Sequence, residues 1–124
     1  MSAATDAPRV GPSRVAGRAR IPVLTRRCFV LQVRPERLAD YVSEHQRVWP
    51  EMLDALSRTG WRNYSLFLRA DDGLVIGYYE SDDADEALDR LADEDVDRRW
   101  QASMAQYFVP GTVLQQLDQY FYLP

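Results

Sequence analysis

The most informative chemical group in this sequence is its single histidine, His45. Tyr41 lies four residues before it and Trp49 four residues after it, so on one helix the three side chains would share a face. An imidazole can both give and take a proton near neutral pH. A lone inward histidine is nevertheless more often a hydrogen-bonded core residue than a catalyst, so the local pattern leaves both interpretations open.

Other aromatic and polar residues could complete a site around this histidine. The segment that follows the first helix can present Asn63 or Tyr64 to the same space, and Trp100 occupies the inward face of a second predicted helix. A tryptophan in that position is usually part of the core, but an indole face also packs well against the C–H face of a sugar ring.

Composition excludes several classes of chemistry. All 15 basic residues are arginine, so there is no lysine to form an imine or to cradle a nucleotide phosphate. His45 and the single Cys28 cannot assemble a zinc site, and we assign no metal to the acidic residues between 82 and 97, which suit solvated helix starts. One cysteine also forbids an internal disulfide, which fits a reducing compartment, and we expect a cytoplasmic protein.

Charge divides the chain into two parts. Residues 1–27 carry six arginines and one acid, whereas residues 28–124 carry nine arginines and 18 acids. Because an acidic body repels phosphate backbones, we expect no nucleic-acid partner, and no apolar run approaches the ~18 residues of a membrane span. We interpret 1–26 as a disordered basic extension, with a transit peptide as the minor alternative, and 27–124 as one domain.

Apolar periodicity predicts four strands and two helical regions. Pro50 should kink or divide the first helix because it removes a backbone donor, and Gly60 should end it. Asp72 and Gly73 form a hairpin signal between the second and third strands. The predicted strands are 28–33, 61–69, 74–80 and 117–123, and the predicted helical regions are 35–58 and about 82–107, the second interrupted at 93–95.

The order βαββαβ predicts an α+β fold, a ferredoxin-like sandwich in which the helices cover one face of the sheet. The second face also carries Phe, Tyr and Ile side chains. A sheet-to-sheet homodimer, forming a dimeric α+β barrel, is therefore the expected way to bury that face.

Longer stretches of the chain resemble the L-rhamnose mutarotase family. The similarity covers about residues 27–124, nearly the whole predicted domain. Its most specific parts are Tyr41 with His45, Val48-Trp49-Pro50-Glu51, Asn63-Tyr64, Arg99-Trp100 and the terminal Phe121-Tyr122-Leu123-Pro124.

The resemblance implies a cofactor-free isomerase that interconverts the α and β anomers of L-rhamnose and works as a dimer of ferredoxin-like subunits. It implies that His45 is the proton donor. The positions that we assign to the sugar are Tyr41, Asn63, Tyr64, Trp100 and Gln101. The sequence departs from the family at Gln101, where the best-known members carry a second tryptophan, so one wall of the site would be more polar here and the identity of the sugar stays open.

Acid–base chemistry alone is enough for such a reaction. Ring opening needs one proton delivered to the ring oxygen and another removed from the anomeric hydroxyl, and reclosure on the other face inverts the anomeric centre. Two alternatives remain. Related folds host cofactor-free, monooxygenase-type oxidations, which is an argument from fold analogy. The domain could also be a non-catalytic small-ligand binder in which Tyr41, His45 and Trp49 are only core.

Overall fold

The computed structural model of the chain describes residues 24–124, and its elements follow the predicted order. Single turns of 3₁₀ helix lie at Pro35–Arg37 and Ala105–Tyr107. The strands and helices are β1 (Thr25–Gln32), α1 (Leu38–His45), α2 (Pro50–Arg58), β2 (Arg62–Arg69), β3 (Leu74–Ser81), α3 (Ala84–Ala92), α4 (Asp95–Met104) and β4 (Gln115–Leu117).

The strands form one antiparallel sheet in the order β2-β3-β1-β4. Both helical regions are divided in two, so the βαββαβ pattern is confirmed with two helices in each crossover. This is the ferredoxin-like α+β sandwich. No helix among residues 24–124 combines the length and the apolar character that a membrane crossing requires.

Proline and glycine set the ends of the first helical region. α1 ends at His45. α2 begins at Pro50, because the residue before a proline prefers extended backbone, and Trp49 has φ −57° and ψ 135°. Gly60 lies just beyond α2 with φ +105°, a conformation that side chains other than glycine's rarely tolerate. The prediction that Pro50 divides the helix and Gly60 ends it is confirmed.

The first strand begins earlier than predicted. β1 includes Thr25 and Arg26, which the sequence analysis placed in the extension 1–26. Thr25 is held there because its side chain donates to the Ser81 carbonyl at 2.9 Å and accepts from the Ala84 amide at 2.8 Å. Residues 1–23 lie outside the described part of the chain, so disorder of the remaining extension stays a prediction.

The last strand is shorter than predicted, and the prediction of a strand over 117–123 is wrong. β4 pairs with β1 only from Cys28↔Leu117 to Val30↔Gln115. Further along β1 the neighbour would be Arg26, whose guanidinium instead lies over the Tyr122 ring at 3.9 Å. An alternating apolar pattern can predict an extended segment, but it does not determine how far that segment pairs with a neighbouring strand.

The core lies between the helices and one face of the sheet. Along β3 the residues that point to the helices are buried, and Tyr79 stacks on Trp61 with ring centroids 3.8 Å apart. The Trp61 indole also donates to the Ala87 carbonyl of α3 at 3.1 Å. The helices leave β2 uncovered, and its helix-facing residues Leu66 and Leu68 remain 36% and 44% exposed. This uncovered strand becomes one wall of a cleft.

Candidate active site

A cleft of about 980 Å³ opens between the helix-facing side of β2 and the helices. Its lining is mostly apolar, with a few polar side chains that come from different elements. A cavity of this size and character is typical of a small-molecule site. The polar lining residues that concern us are Tyr41 and His45 from α1, Tyr64 from β2, and Asp97 and Gln101 from α4.

His45 occupies the last position of α1, where its ring can turn into the cleft. Its Nδ1 lies 3.0 Å from the backbone carbonyl oxygen of Tyr41. Because a carbonyl oxygen can only accept, we assign the proton to Nδ1, which leaves Nε2 free. Nε2 then accepts a proton when the imidazole is neutral and donates one when it is protonated. The geometry therefore fits a group that exchanges protons with a ligand.

Two phenols lie near this imidazole. The ring centroids of Tyr41 and His45 are 4.4 Å apart, and burial raises the pKa of Tyr41 to about 12. Tyr64 is 37% accessible through the cleft mouth, yet protein atoms surround its oxygen, and this desolvation raises its pKa well above the usual value. The neighbouring Tyr41 and the Asp97 carboxylate add to that rise. Both phenols thus stay protonated near neutral pH, as hydrogen-bond donors.

Trp100 forms the wall of the cleft next to His45. Its ring is 5% exposed and meets the His45 ring edge to face, with centroids 5.4 Å apart. Behind it, Trp49 packs edge to face at 5.0 Å. Trp49 is partly buried against the core and does not line the cleft. The indole of Trp100 is therefore both a core residue and a surface that faces the ligand space.

The structure does not bring Asn63 into the cleft with the other predicted residues. Asn63 has φ +48° and lies in the register shift of β2 between Arg62 and Ser65. Its amide nitrogen donates to Glu80 at 2.8 Å, and the residue lines a separate cavity of about 420 Å³. The irregular backbone turns the side chain to the far side of the sheet, while Tyr64 enters the cleft.

Asp97 is the cleft residue that sequence reasoning missed. The interpretation of residues 82–97 as solvated acids is wrong for Asp97, which is only 8% exposed and whose Oδ1 accepts from the Gln101 amide at 3.1 Å. Desolvation raises its pKa, although the Gln101 hydrogen bond and the charge of Arg98 act in the opposite direction. Its position three residues before Trp100 places both on one helix face, and this spacing could have identified it.

Comparison with known proteins matches nearly all of the described chain to one family. The family model for L-rhamnose mutarotase matches residues 26–123. The chain is 32% identical over 104 residues to the L-rhamnose mutarotase of Bacillus subtilis (strain 168), covering 81% of this chain and 99% of that protein. It is 38% identical over 77 residues to that of Jannaschia sp. (strain CCS1), covering 62% and 73%.

Solved structures show the same fold. The crystal structure of an L-rhamnose mutarotase from Formosa agariphila matches with a TM-score of 0.70 and 21% identity, covering 81% of this chain and 99% of that one. A putative antibiotic biosynthesis monooxygenase from Nitrosomonas europaea matches with a TM-score of 0.57 and 9% identity, covering 77% and 89%. At these identities the likeness concerns the fold alone.

Proposed function

This chain belongs to the L-rhamnose mutarotase family, and on that basis we propose that it interconverts the α and β anomers of L-rhamnose or of a closely related sugar. The observation that carries the proposal is the placement of His45. Its ring lies in an open cleft beside Trp100, and the Tyr41 carbonyl fixes the protonated Nδ1 so that Nε2 is free for the substrate. The reaction is an isomerisation that needs only proton transfer.

In the proposed mechanism His45 is the general acid. The protonated imidazole delivers the Nε2 proton to the ring oxygen, the C1–O bond to that oxygen breaks, and the anomeric hydroxyl gives its proton to water as the aldehyde forms. Rotation about C1–C2 and reclosure on the other face give the second anomer. Tyr41 and Tyr64 hold sugar hydroxyls through their O–H groups, and Trp100 packs against the C–H face of the ring.

The test of this role is the variant His45→Ala. We expect its rate of anomer exchange on L-rhamnose, measured by saturation-transfer NMR, to fall about 10²- to 10⁴-fold, the usual contribution of a positioned general acid. Arg47→Ala is the matched control, because Arg47 lies two residues away and is exposed, with its guanidinium on Ser43. A wild-type rate in His45→Ala would show that His45 is not the acid.

A binding readout complements the rate. Because the chain has one histidine, its imidazole protons give a single set of NMR signals that can be followed while sugar is added. A ring that neither titrates nor responds to sugar would favour the non-catalytic binder. The monooxygenase alternative is not favoured, because its support is a likeness of fold at 9% identity.

We also propose that the protein is a homodimer that buries the second face of the sheet. The strand register places Val30, Phe67, Ile76 and Leu117 on that face, where Phe67 is 61% and Leu117 42% exposed. An apolar sheet face without a cover is typical of an interface. We likewise propose a cytoplasmic location, because the single Cys28 fits a reducing compartment.

A further inference from the structure

One wall of the cleft carries a carboxylate that the ring-opening mechanism does not use. Asp97 is buried in the first turn of α4, and its Oδ1 accepts from Gln101 Nε2 at 3.1 Å. No hydrogen bond from residues 24–124 reaches its Oδ2, yet none of their fully buried polar side-chain atoms lacks a partner. Oδ2 therefore keeps its access to the solvent-filled cleft that Asp97 lines.

No arginine among residues 24–124 forms a salt bridge with this carboxylate. Within the described chain the neighbouring arginines are held by other acids. Arg98 pairs with Asp95 at 3.8 Å, and Arg99 pairs with Asp95 at 2.9 Å and with Glu51 at 3.2 Å. Desolvation disfavours the charged form of Asp97, and only the Gln101 hydrogen bond and the charge of Arg98 oppose it. Within residues 24–124 no donor reaches Oδ2, and a ligand in the cleft that donates a hydrogen bond would supply one.

The hydrogen bond between Asp97 and Gln101 sets the polarity of this wall. Since Gln101 donates its amide nitrogen to Oδ1, the carbonyl oxygen of Gln101 remains available as an acceptor. The wall thus offers two acceptors, one of them charged, beside the apolar face of Trp100. A sugar hydroxyl can donate to such acceptors, while a methyl group would leave the buried carboxylate without a partner.

We propose that Asp97 and Gln101 form a hydroxyl-accepting subsite that determines which monosaccharides the cleft accepts. The inference rests on the proposed mutarotase function and adds a specificity determinant to it. The preferred substrates are sugars with a free hydroxyl on the edge that faces α4 when the ring packs on Trp100. Sugars that lack this hydroxyl are rejected, because they bury the carboxylate unpaired.

The experiment compares anomer exchange on L-rhamnose, on L-mannose, in which C6 carries a hydroxyl and is a hydroxymethyl group instead of a methyl group, and on the 2-, 3- and 4-deoxy analogues of L-rhamnose. At one of the compared positions, a sugar that lacks the hydroxyl should have a wild-type kcat/KM about 10- to 100-fold lower than the sugar that carries it, as expected for a hydrogen bond to a charged group. In Asp97→Asn, loss of the same hydroxyl should lower kcat/KM only about 2- to 10-fold, as expected for a hydrogen bond between neutral groups.

Two further variants complete the design. Asp95→Asn makes the same chemical change two residues away on α4, at an exposed carboxylate outside the cleft, and it should keep the wild-type selectivity. Gln101→Met removes the amide from a solvent-exposed position and should weaken selectivity at the same hydroxyl. Because Gln101 is exposed, this variant carries the test even if Asp97→Asn does not fold.

The outcomes separate this inference from the function on which it rests. If wild-type protein exchanges sugar anomers, but Asp97→Asn and Gln101→Met change kcat/KM by one common factor for every sugar, the pair is structural and the subsite is wrong. If wild-type protein exchanges the anomers of none of these sugars, the proposed function fails and the subsite fails with it. If wild-type protein exchanges the anomers and the two variants lose selectivity at a single hydroxyl, the result supports both the proposed function and the subsite.

Discussion

At the scale of single residues, the cleft contains a carboxylate, Asp97, whose charged form lowers the free energy of unfolding. Desolvation is the largest influence on Asp97 and raises its pKa above the ordinary carboxyl value. The folded protein therefore binds this proton more tightly than the unfolded chain does. The free energy of unfolding consequently falls as the pH rises from the usual carboxyl range through the raised pKa.

This linkage predicts a pH-dependent gain for Asp97→Asn. We expect its melting temperature to exceed the wild-type value at about pH 7, and the difference to shrink as the pH falls below about 4, the ordinary carboxyl pKa, where the wild-type carboxyl becomes protonated in both states. Thermal melts across this range provide the measurement. Asp95→Asn is the control, because its exposed carboxylate pairs with Arg99 and its removal should give no such gain. A difference in melting temperature that does not vary with pH would contradict the assignment of a raised pKa to Asp97.

At the scale of elements, the contact between β1 and β3 shapes the floor of the cleft. Phe29 lies directly across from Gly77 in the strand register, and a Cβ at Gly77 would come within 2.2 Å of the Phe29 ring. Phe29 is 3% exposed, lines the cleft and lies 6.4 Å from Tyr64 between ring centroids. Because Gly77 has no side chain, the Phe29 ring fits against it and lies beside Tyr64, a predicted sugar contact.

We expect Gly77→Ala to reduce the free energy of unfolding by about 1–3 kcal/mol, the usual cost of an extra carbon in a packed core. Chemical denaturation gives this value, and the displaced Phe29 ring should also lower anomer exchange. The double variant Gly77→Ala with Phe29→Leu should regain part of the loss, because the smaller side chain leaves room for the new methyl group. Strictly additive losses would show that the two positions do not compete for space.

At the scale of the whole molecule, the sheet presents an apolar surface that the helices do not cover. Phe67 projects from it with 61% of its area exposed, although β2 places Leu66 and Leu68 on the opposite, cleft-facing side. A strand with large apolar residues on both faces needs a second cover. The proposed homodimer would supply it, and would also place two clefts in one assembly.

The dimer predicts that Phe67→Asp raises the dimer dissociation constant roughly 30-fold or more, since buried aromatic residues dominate interface energies. Analytical ultracentrifugation over a concentration series measures this constant. Val113→Asp is the control, because Val113 is 77% exposed but lies outside the sheet, and it should remain dimeric. A wild-type protein that stays monomeric at every concentration would rule out the proposed interface.

The sequence by itself determined the features that depend on local physics. Helical spacing placed Tyr41 and His45 on one face, and both line the cleft with Trp100. The backbone restrictions of Pro50 and Gly60 set the ends of α2. Such features can be predicted because torsion angles and side-chain periodicity act over a few residues.

Only the tertiary structure decided which polar groups share the cleft. The irregularity in β2 turned Asn63 toward Glu80, packing buried Asp97 out of an acidic run, and the pairing of β4 with β1 stopped at Leu117. Each outcome depends on contacts between residues far apart in the chain. Burial, and with it the pKa of a carboxyl group, is a property of the packed molecule, so no local pattern contains it.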